Sequence, residues 1–277
     1  MIKDILVKLE REPARNAAVC DYALSIAEAF EAHIAGVAFS HAGIPPFVLA
    51  DVPADVIQKL LDESAAVARQ SADHFQQATA RSRLSAEQYV FSDTDLLPSE
   101  VFSEMARRFD LGVIMQSDGD KGVYNELLIE AALFESGRPV MLVPYIQKGG
   151  LTLDRVVCCW DGGRPATRAI HDAMPLLKRA RVVELLIVTN DRKPAERDVR
   201  GLEIGRHLAR HGLKVEVEVV PAAGIGVADV ITSHIADCGA SLLVMGGYGH
   251  SRLREVVLGG ATRGILKEMT VPVLMSH

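Results

Sequence analysis

The chain reads as an α/β protein built from two tandem copies of a five-stranded parallel sheet sandwich, with helices on both faces. Three observations lead there. Short apolar runs alternate with longer amphipathic ones along the whole sequence. The central runs are apolar at consecutive positions, as in strands covered on both faces. The second half of the sequence also repeats the pattern of the first.

Taken in order, Asp4-Ile-Leu-Val-Lys-Leu9 opens the first half as a strand, and Asp154-Arg-Val-Val-Cys-Cys-Trp160 opens the second. Leu111-Gly-Val-Ile-Met115 has its counterpart in Ser241-Leu-Leu-Val-Met245. Gly137-Arg-Pro-Val-Met-Leu-Val-Pro144 has its counterpart in Thr270-Val-Pro-Val-Leu-Met275. The offsets, 150, 130 and 133 residues, mark an internal duplication rather than a short-period solenoid. The polar glycine turn Gln147-Lys-Gly-Gly-Leu-Thr152 separates the copies, giving expected domains 1–147 and 152–277.

Within the second copy, Arg155–Trp160 reads as a strand and Ala166–Arg179 as a helix. Val182–Val188 is a strand and Ala195–His211 a helix. Lys214-Val-Glu-Val-Glu-Val-Val220 alternates strictly, so it is a strand with one polar face, placed near an edge. A helix over Ala228–Cys238, the strand Ser241–Met245, a helix across Gly259–Met269 and the strand Val271–Met275 complete the copy. Parallel strands joined this way place ligands beyond their C-terminal ends, where the winding direction reverses.

Composition narrows the function. At 49% hydrophobic and 24% charged residues the chain is an ordinary globular one. A net charge of −6 argues against a general nucleic-acid binder. No apolar run reaches the roughly 20 residues a membrane helix needs. Met1–Val7 enters a strand-like run without the basic start of a signal peptide, so a cytoplasmic location is expected. The four cysteines, Cys20, Cys158, Cys159 and Cys238, form no CxxC pair and no zinc-like spacing, and no metal site is expected. His207-Leu-Ala-Arg-His211 places two histidines on one helix face but lacks the glutamate of a His-Glu-x-x-His motif and a third ligand. No nucleophile elbow, cysteine nucleophile or carboxylate cluster is recognisable, so no catalytic residue is assigned and efficient catalysis is not expected.

The segment Gly246–Thr262 carries the chemistry. Glycines at a strand exit let a ligand approach the backbone. A helix start supplies N–H donors and a positive dipole end, which suit phosphate. The spacing Gly246-x2-Gly249-x9-Gly259 is neither a Walker loop nor a dinucleotide fingerprint. Set between Leu-Leu-Val-Met245 and Val271-Pro-Val-Leu-Met275, it resembles the universal stress protein family. The likeness is strong over residues 241–277 and loose over the first half.

That resemblance implies an adenine nucleotide alpha hydrolase-like, Rossmann-like fold with strand order 3-2-1-4-5. The loops after the first and fourth strands then face each other across one crevice. It implies a site made of Cys159, Trp160, Asp161, Val188, Met245, Gly246, Tyr248, Gly249, Gly259, Gly260, Ala261 and Thr262. The ligand would be ATP or another adenine nucleotide, with magnesium as an accompanying ion. Asp161 matches the acidic residue that contacts the nucleoside, yet it reads equally as a turn or cap aspartate. Val188 matches a position that packs on adenine, and plain core explains it as well. Tyr248 suits a ribose or base cover and equally an exposed loop. Gly260 stands where the family's binders carry serine or threonine, which removes one side-chain bond to phosphate while Thr262 keeps a hydroxyl. His250, Ser251, Arg252 and Arg254 read as a solvated loop face.

The first half lacks the motif. Gln116 replaces the first glycine, Gly119 aligns with Gly249, and Ile129-Glu130 stands where Gly259-Gly260 would be. Glu10 lies near the position of Asp161, which alone means little. Glu130 and the loop's two aspartates, Asp118 and Asp120, would repel phosphate, so this half is expected to be a structural or dimer-forming partner without nucleotide. The proline-rich segment 40–54 is too long for an ordinary turn; it reads most plainly as a loop packed on its own domain, and otherwise as a cover for the crevice, a seal between the halves or a dimer contact. The family pairs domains through the last strand, which implies an internal pseudo-dimer, with a homodimer of the chain open. The reading is thus a stress-response or signalling module that binds nucleotide in its C-terminal copy. The alternatives are a nucleotide-free scaffold acting through dimerisation or partners, and a slow ATP hydrolase.

Overall fold

The computed structural model describes residues 1–40, 53–92, 96–117, 123–189, 194–247 and 260–277. The chain divides into two compact units. The first holds β1 (Asp4–Lys8), α1 (Pro13–Phe30), β2 (His33–Phe39), α2 (Ala54–Thr79), β3 (Ala86–Phe91), α3 (Pro98–Ala106), β4 (Leu111–Met115) and α4 (Val123–Glu135). The second holds β5 (Val140–Val143), β6 (Arg155–Cys159), α5 (Arg164–Leu177), β7 (Val182–Thr189), α6 (Pro194–Arg210), β8 (Val215–Pro221), α7 (Val227–Asp237), β9 (Leu242–Gly246), α8 (Gly260–Glu268) and β10 (Val273–Ser276).

In the first unit β1 lies between β2 and β4, and β3 pairs with β2, all parallel. Apolar β1 and β4 are buried, while the polar strand Ala86–Phe91 forms an exposed edge. Helix α1 begins where Pro13 presets φ and the Glu12 carboxylate accepts from the Ala14 and Arg15 N–H groups, at 3.1 and 2.9 Å.

In the second unit β6 lies between β7 and β9, with β8 outside β7 and β10 outside β9, all parallel. This is the order 3-2-1-4-5 that the family resemblance implies. The alternating strand β8 lies against β7 alone, at the edge its Val-Glu-Val-Glu pattern predicts. Helix α5 buries Ala166, Ala169, Ile170, Ala173, Leu176 and Leu177, the stripe of a helix covering a sheet.

One element departs from two separate five-stranded sheets. The strand Val140–Val143 belongs to the second unit and runs antiparallel to β10, pairing Leu142 with Val273 and Val140 with Met275. Both strands are four residues long and fully buried. The contact gives each short apolar ribbon a hydrogen-bonded neighbour, which an open edge would lack. The sheets are therefore mostly parallel, with one antiparallel pairing.

Gln116 follows the same path. Read from sequence as a lost glycine, it is 1% exposed, and its Nε2 donates to the Leu266 and Lys267 carbonyls at 3.0 and 3.1 Å. Its Oε1 accepts from the Tyr145 N–H at 3.3 Å. The amide caps the C-terminal end of α8, whose carbonyls have no partners within the helix. Among the described residues no helix is long and apolar enough to cross a membrane.

Candidate functional site

In the second unit the chain leaves β6, winds out through β7 and β8, and returns to the other side at β9. The reversal between β6 and β9 opens a crevice at their C-terminal ends, as parallel sheets do. A cleft of about 200 Å³ lies there. Its walls are Cys159, Trp160 and Asp161 after β6, Leu186 and Val188 of β7, and Met245 and Gly246 at the end of β9. The starts of three helices complete it: Pro165 and Ala166 of α5, Val227 and Ile231 of α7, and Gly260, Ala261 and Thr262 of α8.

Nine of the residues named from sequence thus meet in one place: Cys159, Trp160, Asp161, Val188, Met245, Gly246, Gly260, Ala261 and Thr262. Tyr248, Gly249 and Gly259 lie outside the described residues, as do His250, Ser251, Arg252, Arg254, Gly119 and most of segment 40–54. Sequence reasoning missed Pro165, Ala166, Leu186, Val227 and Ile231. Val227 and Ile231 stand one helical turn apart on the helix that follows the third strand, so the topology alone would have brought them to the crevice.

The floor is apolar and the rim polar. Val188 is half-buried, whereas the rest of β7 is buried, so it surfaces into the cleft rather than into the core. With Val227, Ile231 and Met245 it forms a slot suited to a flat ring. Trp160 donates its backbone N–H to Leu186 at 2.9 Å, yet its buried indole Nε1 has no hydrogen-bond partner among the described residues. Such a donor costs about 1–3 kcal/mol unless an acceptor reaches it.

Asp161 takes the turn role that its sequence position allows. Its Oδ1 accepts from the Gly163 N–H at 2.7 Å, closing a turn ahead of α5. The same turn holds the carboxylate at the exposed mouth of the cleft. Gly162, at φ +78°, permits the turn. Burial, aided by Asp161 and Glu184, pushes the Cys159 thiol up to about 12, so it lines the wall as a neutral group. Three helix N-termini converge on the cavity, each bringing the positive end of its dipole.

Gly246 has a structural duty as well. A Cβ there would stand 2.5 Å from the Ala166 nitrogen and the Pro165 carbonyl carbon. Only glycine lets the first turn of α5 lie this close to β9. Gly260 is the opposite case, with nothing among the described residues within 4 Å of an added Cβ.

The equivalent corner of the first unit is filled by its own side chains. Lys8, at the end of β1, donates to Glu10 Oε1 at 2.9 Å and to Asn125 Oδ1 at 3.0 Å. Glu10 is buried, and its N–H donates to Asn16 Oδ1 at 3.0 Å. Polar groups that face a crevice in the second unit satisfy one another here.

Comparison with known proteins agrees with this geometry. Residues 152–277 match the model of the universal stress protein family. A universal stress protein of Synechocystis sp. is 38% identical over 68 residues, covering 24% of this chain and 22% of that protein. The chain therefore matches under a quarter of the length of this relative. Among solved structures, a universal stress protein from Archaeoglobus fulgidus DSM 4304 superposes with a TM-score of 0.67 at 16% identity, over 99% of this chain and 97% of that one. A protein of unknown function from Pseudomonas aeruginosa PAO1 does so at 0.57 and 15%, over 99% and 92%. At these identities the two structures share the fold with this chain.

Proposed function

We propose, for a chain whose residues 152–277 belong to the universal stress protein family, that the second unit binds an adenine nucleotide and that the tandem chain is a nucleotide-responsive stress module. The observation that carries this is the joining of an apolar slot and a phosphate seat in one cleft. Val188, Val227, Ile231 and Met245 receive the adenine. Asp161 accepts hydrogen bonds from ribose hydroxyls. The first turn of α8, Gly260 to Thr262, presents N–H groups and the positive end of its dipole to the phosphates.

The first unit supports the fold and binds no nucleotide, because Lys8, Glu10 and Asn125 are already bonded to one another where a ligand would lie. Among the described residues of the cleft, Asp161 is engaged in its turn and the Cys159 thiol is held neutral, so neither is set up to activate water. This favours a module that senses nucleotide over one that hydrolyses it.

Calorimetric titration of ATP, ADP and AMP, with magnesium, tests the reading. One site per chain with micromolar affinity for at least one of the three is expected. No heat at millimolar concentrations of all three would overturn it and leave a nucleotide-free scaffold.

A further inference from the structure

At the other end of the second unit's sheet lies a cluster that the cleft does not use. Glu184, near the start of β7, is 4% exposed, so its carboxylate sits where an unpaired charge would be costly. Its Oε2 accepts from the Arg155 guanidinium, which also donates to Glu216 Oε2 at 2.8 Å. Its Oε1 faces His234 Nε2 at hydrogen-bonding contact. One turn further on, at the C-terminal cap of α7, stands Cys238, whose Sγ donates to the Ile235 carbonyl at 3.8 Å. A carboxylate oxygen, an imidazole nitrogen and a thiol sulfur thus lie within 4.8 Å of one another.

We propose that Glu184, His234 and Cys238 bind a single borderline-soft divalent cation, zinc above all, with water as the fourth ligand. The spacing of His234 and Cys238, four residues apart, puts both donors on one face of the helix end, turned toward β7. The mixed oxygen, nitrogen and sulfur set suits zinc and disfavours magnesium or calcium, which take oxygen. Bonds of about 2.0–2.3 Å require donors roughly 3.4–3.8 Å apart, which small side-chain rotations of the cluster provide.

Charge favours the same occupant. Two carboxylates surround one guanidinium, leaving one negative charge beside the imidazole and the thiol. Arg155 holds Oε2, so Oε1 remains the ligand and its direction is fixed, as an outer partner fixes a ligating carboxylate. Burial and the Glu184 carboxylate push the Cys238 thiol up. A divalent cation reverses that, since metal binding displaces the proton. It would also take the place of the hydrogen bond between His234 and Glu184. His234 has 17% of its side chain exposed, and Cys238 is half-buried, so the fourth position opens to solvent. The cluster joins the C-terminal end of α7 to β7, and the cation would staple them.

The test uses the full chain stripped of metal by a chelator and needs no nucleotide. Cobalt added to the wild type should give a thiolate-to-cobalt charge-transfer band of tetrahedral intensity, displaced by one equivalent of zinc. Zinc should raise the melting temperature. Cys238→Ser should fold with the metal-free stability of the wild type, lose the band, and bind zinc at least tenfold more weakly. His207→Gln, on the other histidine pair, should change neither property. Absence of the band in the wild type, or its persistence in Cys238→Ser, would overturn the proposal.

Discussion

Gly260→Ser is expected to bind an adenine nucleotide about tenfold more tightly than the wild type. The position opens α8, is exposed, and has no described atom within 4 Å of an added Cβ, so a serine displaces no neighbour among the described residues. Its hydroxyl would add one hydrogen bond to a phosphate lying on the helix start. A bond to a charged group contributes about 1.5–3 kcal/mol, and the lower figure already corresponds to roughly tenfold in affinity. The gain should be larger for ATP and ADP than for adenosine, which has no phosphate to receive it. Stability should hold or rise by a few tenths of a kcal/mol, because serine suits a helix better than glycine. Calorimetric titration of the variant against the wild type checks this. Equal affinity in the two would mean that phosphate does not lie on α8.

Gly246→Ala is expected to weaken the whole second unit. The new methyl carbon would meet backbone atoms of Pro165 and Ala166 at 2.5 Å, and backbone cannot turn aside as a side chain can. Either β9 or the first turn of α5 must move. Overpacking of a core side chain costs about 1–3 kcal/mol, and a backbone clash lies at or beyond the upper end. Urea unfolding should show a loss of about 3 kcal/mol, with nucleotide affinity falling as a consequence of the displaced α5. Met245→Leu, one residue earlier and nearly equal in volume, should cost under about 1.5 kcal/mol. A Gly246→Ala protein as stable as the wild type would mean that the close approach of α5 to β9 is not required. This glycine therefore cannot serve as a clean probe of ligand contact, whereas Gly260 can.

The alternation of apolar and amphipathic segments made the β/α order legible, because period and length separate strand from helix. The edge position of β8 was legible for the same reason, from Val-Glu-Val-Glu alone. The cleft was legible where its residues lie at strand exits, since parallel topology forces those together. Val227 and Ile231 escaped because an apolar residue in the first turns of a helix reads as core, and only the strand order shows that this helix start borders the crevice. The destination of β5 was equally hidden, as four apolar residues pair as readily with one short strand as with another. Gln116 looked like a missing glycine, and only the fold reveals it as the cap of α8. Glu184, His234 and Cys238 escaped for a simpler cause: a search for metal ligands by spacing finds only neighbours in sequence, and Glu184 lies 50 residues from His234.

If the second unit's cleft receives an adenine ring, Trp160 reports it directly. It is the single tryptophan of the chain and lines the cleft. Titration of its fluorescence with ATP, ADP, AMP and inorganic triphosphate, at equal ionic strength, is the decisive measurement. A saturable change is expected with at least one adenine nucleotide, at the concentration that saturates the calorimetric signal, with a far weaker response to triphosphate. A nucleotide that binds by calorimetry while leaving Trp160 unchanged would place the site elsewhere.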